Sequence, residues 1–183
     1  MHPLGILRPI ATSELELMRS WRNAPSVRAH MYTRHEISAE EHRAWWERTQ
    51  QKLDQQYFMY EFSGKAAGIV GFSAIDHINE NCSWAFYAAP DSAKGTGSRM
   101  EMLAVDYAFC DLKMHKLYCE VLSFNTAVIK LHQKFGFKVE GIFREHHREK
   151  NTFVDIYRLG ILSVEWSAQR EEMVARLKKQ IRV

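Results

Sequence analysis

A chain of 183 residues that is 46% hydrophobic and 12% aromatic can enclose one well-buried core but is short for two, so a single domain over 1–183 is expected. The formal net charge of +3 is modest and its Lys and Arg residues are interspersed with acids, which argues against a nucleic-acid partner. Cys82, Cys110 and Cys119 include no CxxC pair, which argues against a disulfide framework and a zinc site; no apolar run approaches the roughly 18 residues of a membrane span, and Met1-His2-Pro3-Leu4-Gly5 lacks a signal-peptide pattern, so the expectation is a cytoplasmic protein.

Gly5–Pro9 is a short apolar run that reads as an edge strand, and Thr12-Ser13-Glu14 signals a helix start ahead of Leu15, Leu17, Met18 and Trp21. Ser38-Ala39-Glu40-Glu41 has the form of a capping box and opens a polar helix that carries Trp45 and Trp46 as far as Leu53. Tyr57–Phe62 and Ala66–Ile75 read as strands joined by a turn at Ser63-Gly64-Lys65. Ser83–Ala88 is a further strand, stopped by Pro90. From Arg99, apolar residues at Met102, Leu103, Val105, Ala108 and Phe109 recur at helical spacing up to Leu112.

Lys116–Leu122 is strand-like, and Asn125 opens a helix with Val128, Leu131 and Phe135 on one side, ended by Gly136. Residues 138–146 and 152–161 form a hairpin around Lys150-Asn151. Val164, Ala168, Val174, Leu177 and Ile181 predict a closing amphipathic helix over Ser163–Val183. The order of elements describes an α/β chain with a mixed sheet covered by helices.

The chemistry concentrates in two segments. Phe86-Tyr87-Ala88-Ala89-Pro90 runs from a strand through Asp91-Ser92-Ala93-Lys94-Gly95-Thr96-Gly97-Ser98 into a helix beginning near Arg99. Two close glycines let main-chain amides approach a phosphate, and the unpaired amides of the helix N-terminus add a favourable dipole. A plain strand-to-helix turn would also use glycine. The second segment follows the strand His115–Leu122 and reads Ser123-Phe124-Asn125-Thr126-Ala127-Val128-Ile129-Lys130-Leu131-His132-Gln133-Lys134-Phe135-Gly136-Phe137.

Together, and in this order, the two segments resemble the core of the GNAT acetyltransferases. The resemblance implies a mixed central sheet whose two parallel strands splay apart, flanked by helices, with acetyl-CoA in the gap. Gly95, Thr96, Gly97 and Ser98 would then hold the pyrophosphate, Tyr87 and Ala88 would line the pantetheine, and Asn125 would bond the cofactor arm. Ser92 and Ala93 depart from the family's usual Arg or Gln followed by Gly, and His132 stands where Tyr is common.

Amine acetylation needs a group to take the ammonium proton and another to protonate or hydrogen-bond the departing thiolate. The resemblance gives these tasks to Glu120 as base and His132 as acid, and imidazole is competent near neutrality. The alternative is a solvated strand carboxylate and a partly exposed helix histidine. Adjacent His146 and His147 point to opposite faces of a strand, and the spacing of Cys110, His115 and Cys119 fits no common zinc pattern, so no metal is expected. Trp45, Trp46, Trp84 and Trp166 read as packing residues.

The acceptor is addressed by Trp21-Arg22-Asn23-Ala24-Pro25-Ser26-Val27-Arg28 with Met31-Tyr32, and by the ending Glu140-Gly141-Ile142-Phe143-Arg144-Glu145-His146, Phe153–Leu162 and Glu165-Trp166. These are similar to the GNAT subgroup that acetylates the 4-amino group of a UDP-4-amino-4,6-dideoxy-N-acetyl-altrosamine in pseudaminic acid biosynthesis, which serves flagellin glycosylation. That resemblance places Arg22, His42, His77 and Tyr87 at the nucleotide-sugar acceptor and admits a homodimer. Two readings stand beside it: an N-terminal acetyltransferase of the ribosomal-protein type, favoured by an open acidic groove, and an acyl-CoA-binding module without turnover.

Overall fold

The computed structural model describes residues 3–181. Seven strands form one sheet in the order β1-β2-β3-β4-β5-β7-β6. They are β1 (Ile6–Pro9), β2 (Gln56–Phe62), β3 (Lys65–Asp76), β4 (Asn81–Ala88), β5 (Lys116–Leu122), β6 (Lys138–Glu149) and β7 (Thr152–Leu162). Among the described residues β4 and β5 are the one parallel pair, and the other neighbours run antiparallel.

Strand alternation gives the sheet two apolar faces. Tyr60, Val70, Phe72 and Trp84 join the larger core with Met100, Met102, Ala104 and Val105 of α4 (Thr96–Asp106) and Trp166, Met173 and Leu177 of α6 (Ser163–Ile181). Their strand neighbours Met59 and Ile69 turn to the opposite face, where they meet Met18 and Trp21 of α1 (Leu15–Asn23). Trp45 of α3 (Ala39–Gln50) packs against this second cluster, and Ser38 caps its helix by accepting the Glu41 amide at 3.1 Å.

Some elements depart from expectation. Pro25 starts a separate short helix, α2 (Pro25–Arg28), because its fixed φ suits the first helical position. The helix expected from Arg99 opens at Thr96, and its last turn, Tyr107–Asp111, is π-wound. The hairpin strand expected to end at residue 146 continues to Glu149. The expected helix end at Val183, like Met1 and His2, lies outside the described residues. Cys82 and Cys119 are buried, whereas Cys110 is exposed. Among the described residues no helix is long and apolar enough to cross a membrane.

Two features position the site. The β4–β5 register holds for Asn81↔Lys116, Cys82↔Leu117 and Ser83↔Tyr118 and then stops, so the remainders of the two strands diverge. The helix α5 (Thr126–Lys134), which follows β5, ends at Gly136 with φ +88°, and a Cβ there would fall 2.0 Å from Nε2 of Gln169. Gln169 donates to the Phe135 carbonyl at 3.0 Å, so the absent side chain lets α6 seal the end of α5.

Candidate active site

The divergence of β4 and β5 opens a cavity of about 480 Å³, walled by Trp84–Pro90 on one side and Cys119–Leu122 on the other. Asn125, Ala127, Val128 and His132 close it from α5, and Ser26, Val27, His30, Met31 and Tyr32 close it from the segment after α1. A second cavity, of about 350 Å³, lies under α1 and α3 and is lined by Arg22, His42, Trp45 and Tyr57 among others. Met31 and the β4 segment Ala85-Phe86-Tyr87 border both, so two ligands entering from opposite sides would meet across β4.

Asn125 is the residue before α5, yet its side chain makes no capping bond. The helix uses its main chain instead: the Asn125 carbonyl accepts from the Val128 and Ile129 amides, both at 3.1 Å. The carboxamide therefore remains available to the first cavity. At the other end, Gly95 precedes α4 with φ +85°, the left-handed region that favours glycine. Among the described residues, the amides of Gly97 and Ser98 make no turn or cap bond, as expected for the first turn of a helix.

Behind that turn lies Arg99, 7% exposed. Its guanidinium donates to the Tyr60 hydroxyl (3.1 Å) and the Thr96 hydroxyl (2.9 Å) and stacks 4.2 Å from the Phe62 ring centre. These partners are neutral, so a buried positive charge stands beside the free amides, an arrangement that fits a pyrophosphate. The cavity lining itself ends at Pro90, short of Gly95–Ser98; Gly97 abuts it, since a Cβ there would meet Phe86 at 3.5 Å. In the sequence Arg99 marks only a helix start, because an arginine after a glycine turn ordinarily faces water.

Glu120 and His132 both line the first cavity. Glu120 accepts from Arg158 Nη1 at 2.9 Å and from the Tyr32 hydroxyl at 3.5 Å. Arg158 is held over the Tyr118 ring at 3.6 Å. Burial, reinforced by the charge of Glu120, pushes the Tyr32 phenol up to about 12, so Tyr32 remains a neutral donor. His132 is not the partly exposed helix residue of the alternative reading: it is 3% exposed, edge-on to Trp84 and Phe86.

The Nδ1 of His132 lies 2.8 Å from Oε1 of Glu101, a carboxylate that is 0% exposed and whose Oε2 is buried without a partner. Burial opposes charging the ring, and the charge of Glu101 with the Cys119 thiol overcomes it, so the His132 pKa is raised. Glu101 was not singled out in the sequence. Its signal was present: it is four residues before Val105 and seven before Ala108, on the apolar side of the helix.

In the second cavity the structure brings Arg22, His42 and Tyr87 together. Burial lowers the Arg22 pKa; its Nη1 is buried without a partner, and Nη2 reaches only the Thr33 carbonyl at 3.4 Å. Burial, then the positive charge of Arg19, lowers the His42 pKa, keeping the ring neutral near pH 7, and burial raises that of Tyr87. Trp45 and Tyr57, in edge contact at 5.1 Å, add an aromatic wall. Trp45 and Trp84 pack as expected and in addition border the second and the first cavity respectively.

His77 requires correction. The resemblance places it at the acceptor, but β3 ends at Asp76 and His77 is exposed in the turn leading to β4. It lines neither cavity and leaves the acceptor set. Among the described residues no group of three or more His, Cys, Asp or Glu side chains converges as metal ligands.

Residues 6–138 match the family model described as acetyltransferase (GNAT) domain. The chain is 29% identical over 128 residues to acetyltransferase PseH of Campylobacter jejuni subsp. jejuni serotype O:23/36, covering 70% of this chain and 79% of that protein. It is 28% identical over 136 residues to spermidine N(1)-acetyltransferase of Escherichia coli K12, covering 74% and 73%. The fold superimposes with a TM-score of 0.82 on spermidine N-acetyltransferase from Vibrio cholerae, solved in complex with CoA and spermine, at 22% identity over 88% of this chain and 97% of that one.

Proposed function

The chain belongs to the GNAT acetyltransferase family and is an acetyl-CoA-dependent N-acetyltransferase, and on that premise we propose that its acceptor is the 4-amino group of a UDP-4-amino-4,6-dideoxy-N-acetyl-altrosamine. The observation that carries this reading is the unpaired guanidinium of Arg22 in the second cavity. Overall likeness does not choose between acceptors, because relatives of both kinds match at 28–29%. Charge does. The cavity is lined by Arg22 and Arg48 against one acid, Glu41, which already binds His35 at 2.9 Å. A polyamine ammonium would face an uncompensated cation there, whereas a diphosphate would satisfy it.

With the nucleotide sugar in the second cavity and the thioester in the first, the amine reaches the thioester across Ala85–Tyr87. Gly95, Thr96, Gly97 and Ser98 hold the pyrophosphate, Tyr87 and Ala88 flank the pantetheine, and Asn125 bonds it. Tyr87 and His42 orient the sugar with Arg22. Glu120 takes the ammonium proton on Oε2, where the 3.5 Å bond from Tyr32 is the weaker of its two contacts. His132 supplies the proton to the departing sulfur. On this reading residues 1–183 form a single domain that works in the cytoplasm as a homodimer, in pseudaminic acid biosynthesis and so in flagellin glycosylation.

The test is release of CoA thiol from acetyl-CoA with three acceptors in parallel: the UDP-4-amino sugar, spermidine and an N-terminal peptide. Turnover of the sugar alone is expected. Turnover of spermidine or of the peptide without the sugar overturns the acceptor, and acetyl-CoA binding without turnover of any of them leaves a binding module.

A further inference from the structure

The buried pair Glu101–His132 has no role in the reading above beyond the histidine itself. Glu101 projects from α4, His132 from α5, and they meet 2.8 Å apart beneath the first cavity, 0% and 3% exposed. A carboxylate taken wholly out of water is strongly disfavoured unless a cation or several donors compensate it. Glu101 has one hydrogen-bond partner, Nδ1 of His132, and its other oxygen has none.

We propose that Glu101 is a positioning residue for acetyl transfer: it binds Nδ1–H of His132, fixes the ring, and leaves Nε2–H as the donor to the thioester sulfur. This rests on the reading of His132 as the acid. The groups that act on the pair come from three elements. Glu101 lies on α4 and the Cys119 thiol on β5, and Lys134, two residues after His132 on α5, acts on Glu101. The remaining walls, Trp84, Phe86 and Phe137, do not titrate as acids or bases here. Burial opposes charge on both partners, lowering the ring and raising the Glu101 carboxyl; at 2.8 Å each charge favours the other, and with Cys119 this holds the His132 pKa above its ordinary value, so the ring keeps both protons where an exposed imidazole is neutral.

The proton count closes. The amine loses its first proton to Glu120 and attacks as a neutral nucleophile; the N–C bond forms, the C–S bond breaks, and the bond pair leaves on sulfur, which takes the Nε2 proton. The second amine proton, lost as the amide forms, returns the imidazole to its charged state. Without Glu101, the ring would be neutral near pH 8, with nothing to fix its one proton on Nε2, and the departing sulfur would lose its cationic donor.

The experiment uses the full chain labelled with nitrogen-15 at histidine. Spectra of wild type and Glu101→Gln across pH 6–9 report which ring nitrogens of His132 carry protons, whether or not an acceptor has been identified. The wild-type ring is expected to hold both protons at pH 7.5, and the Gln variant to have lost one. In parallel, kcat and KM are followed over the same range with whichever of the UDP-4-amino sugar and spermidine turns over. Glu101→Gln is expected to lower kcat roughly tenfold to hundredfold at pH 8, less toward pH 6, with the KM for acetyl-CoA little changed.

Glu101→Asp should recover part of the loss. A wild-type His132 that is neutral at pH 7.5 overturns the proposal, as does a loss of kcat equal at every pH. Failure of the acceptor reading shows separately, as turnover of spermidine and not of the sugar, and leaves both of these readouts in place. If neither amine turns over, the spectra decide.

Discussion

Replacing Arg22 by Met separates a ligand-binding cation from a structural one. In the protein Arg22 makes one long bond, 3.4 Å to the Thr33 carbonyl, and its Nη1 is buried with nothing to bind. A group that folding holds in this way contributes little and bears a desolvation cost, which a methionine of similar reach would remove. The melting temperature of Arg22→Met is therefore expected to equal or exceed that of wild type. Binding should respond in the opposite direction. A charge-assisted hydrogen bond to a phosphate is worth about 1.5–3 kcal/mol, so the KM for the UDP-sugar should rise roughly tenfold to 150-fold. The KM for acetyl-CoA, bound on the other side of β4, should not move. Thiol-release kinetics and scanning calorimetry on the same preparation supply both numbers. A lower melting temperature with an unchanged sugar KM would refute the reasoning and return Arg22 to the scaffold.

Other outcomes follow from single sites. Gly95→Ala forces a left-handed φ of +85° on a residue with a Cβ, costing about 1–2 kcal/mol and thus roughly 2–8 °C of melting temperature; no change in the melting curve would show that the turn is free to rearrange. Glu120→Gln is expected to lower kcat while leaving calorimetric acetyl-CoA affinity intact, and an unaltered kcat would remove it as the base. Arg8, by its hydrogen bonds, holds the Glu14 carboxyl down from 4.5 to about 2 against the effect of burial. Its stabilisation is fully present above pH 4.5 and fades as pH falls toward 2. Glu14→Gln should therefore lose less melting temperature than wild type between pH 4.5 and 2; parallel curves would contradict the assignment.

Where residues repeat with a clear period, the architecture was legible. Met102 and Val105 located α4, because burial on one face imposes that spacing, and β-favouring runs on either side of Ser63-Gly64-Lys65 located β2 and β3. The glycine turn and Asn125 were readable for a different reason: main-chain recognition needs particular residues in a fixed order. What stayed hidden depended on distant segments meeting. Glu101 and His132 are 31 positions apart, Tyr32 and Glu120 are 88, and no local pattern ties either pair. His77 failed because its place after a strand does not say which way its side chain faces: it stands exposed in the turn beyond Asp76, away from both cavities. Trp45 looked like core because tryptophan is usually packed, and only the fold shows that it borders a void.

The early end of the β4–β5 register, after three residue pairs, leaves two lengths of strand whose peptide groups face each other without pairing. Unsatisfied strand margins at the rim of a sheet invite foreign chains and aggregation. Here the margins are in the middle of the sheet, between β3 and β7, and not at its outer edges. A slender molecule with amide groups spaced along it would find bonding partners there that a bulky side chain would not. The unpaired backbone is thus enclosed between two bonded strand pairs instead of lying along an outer edge of the sheet, where another chain could add to it.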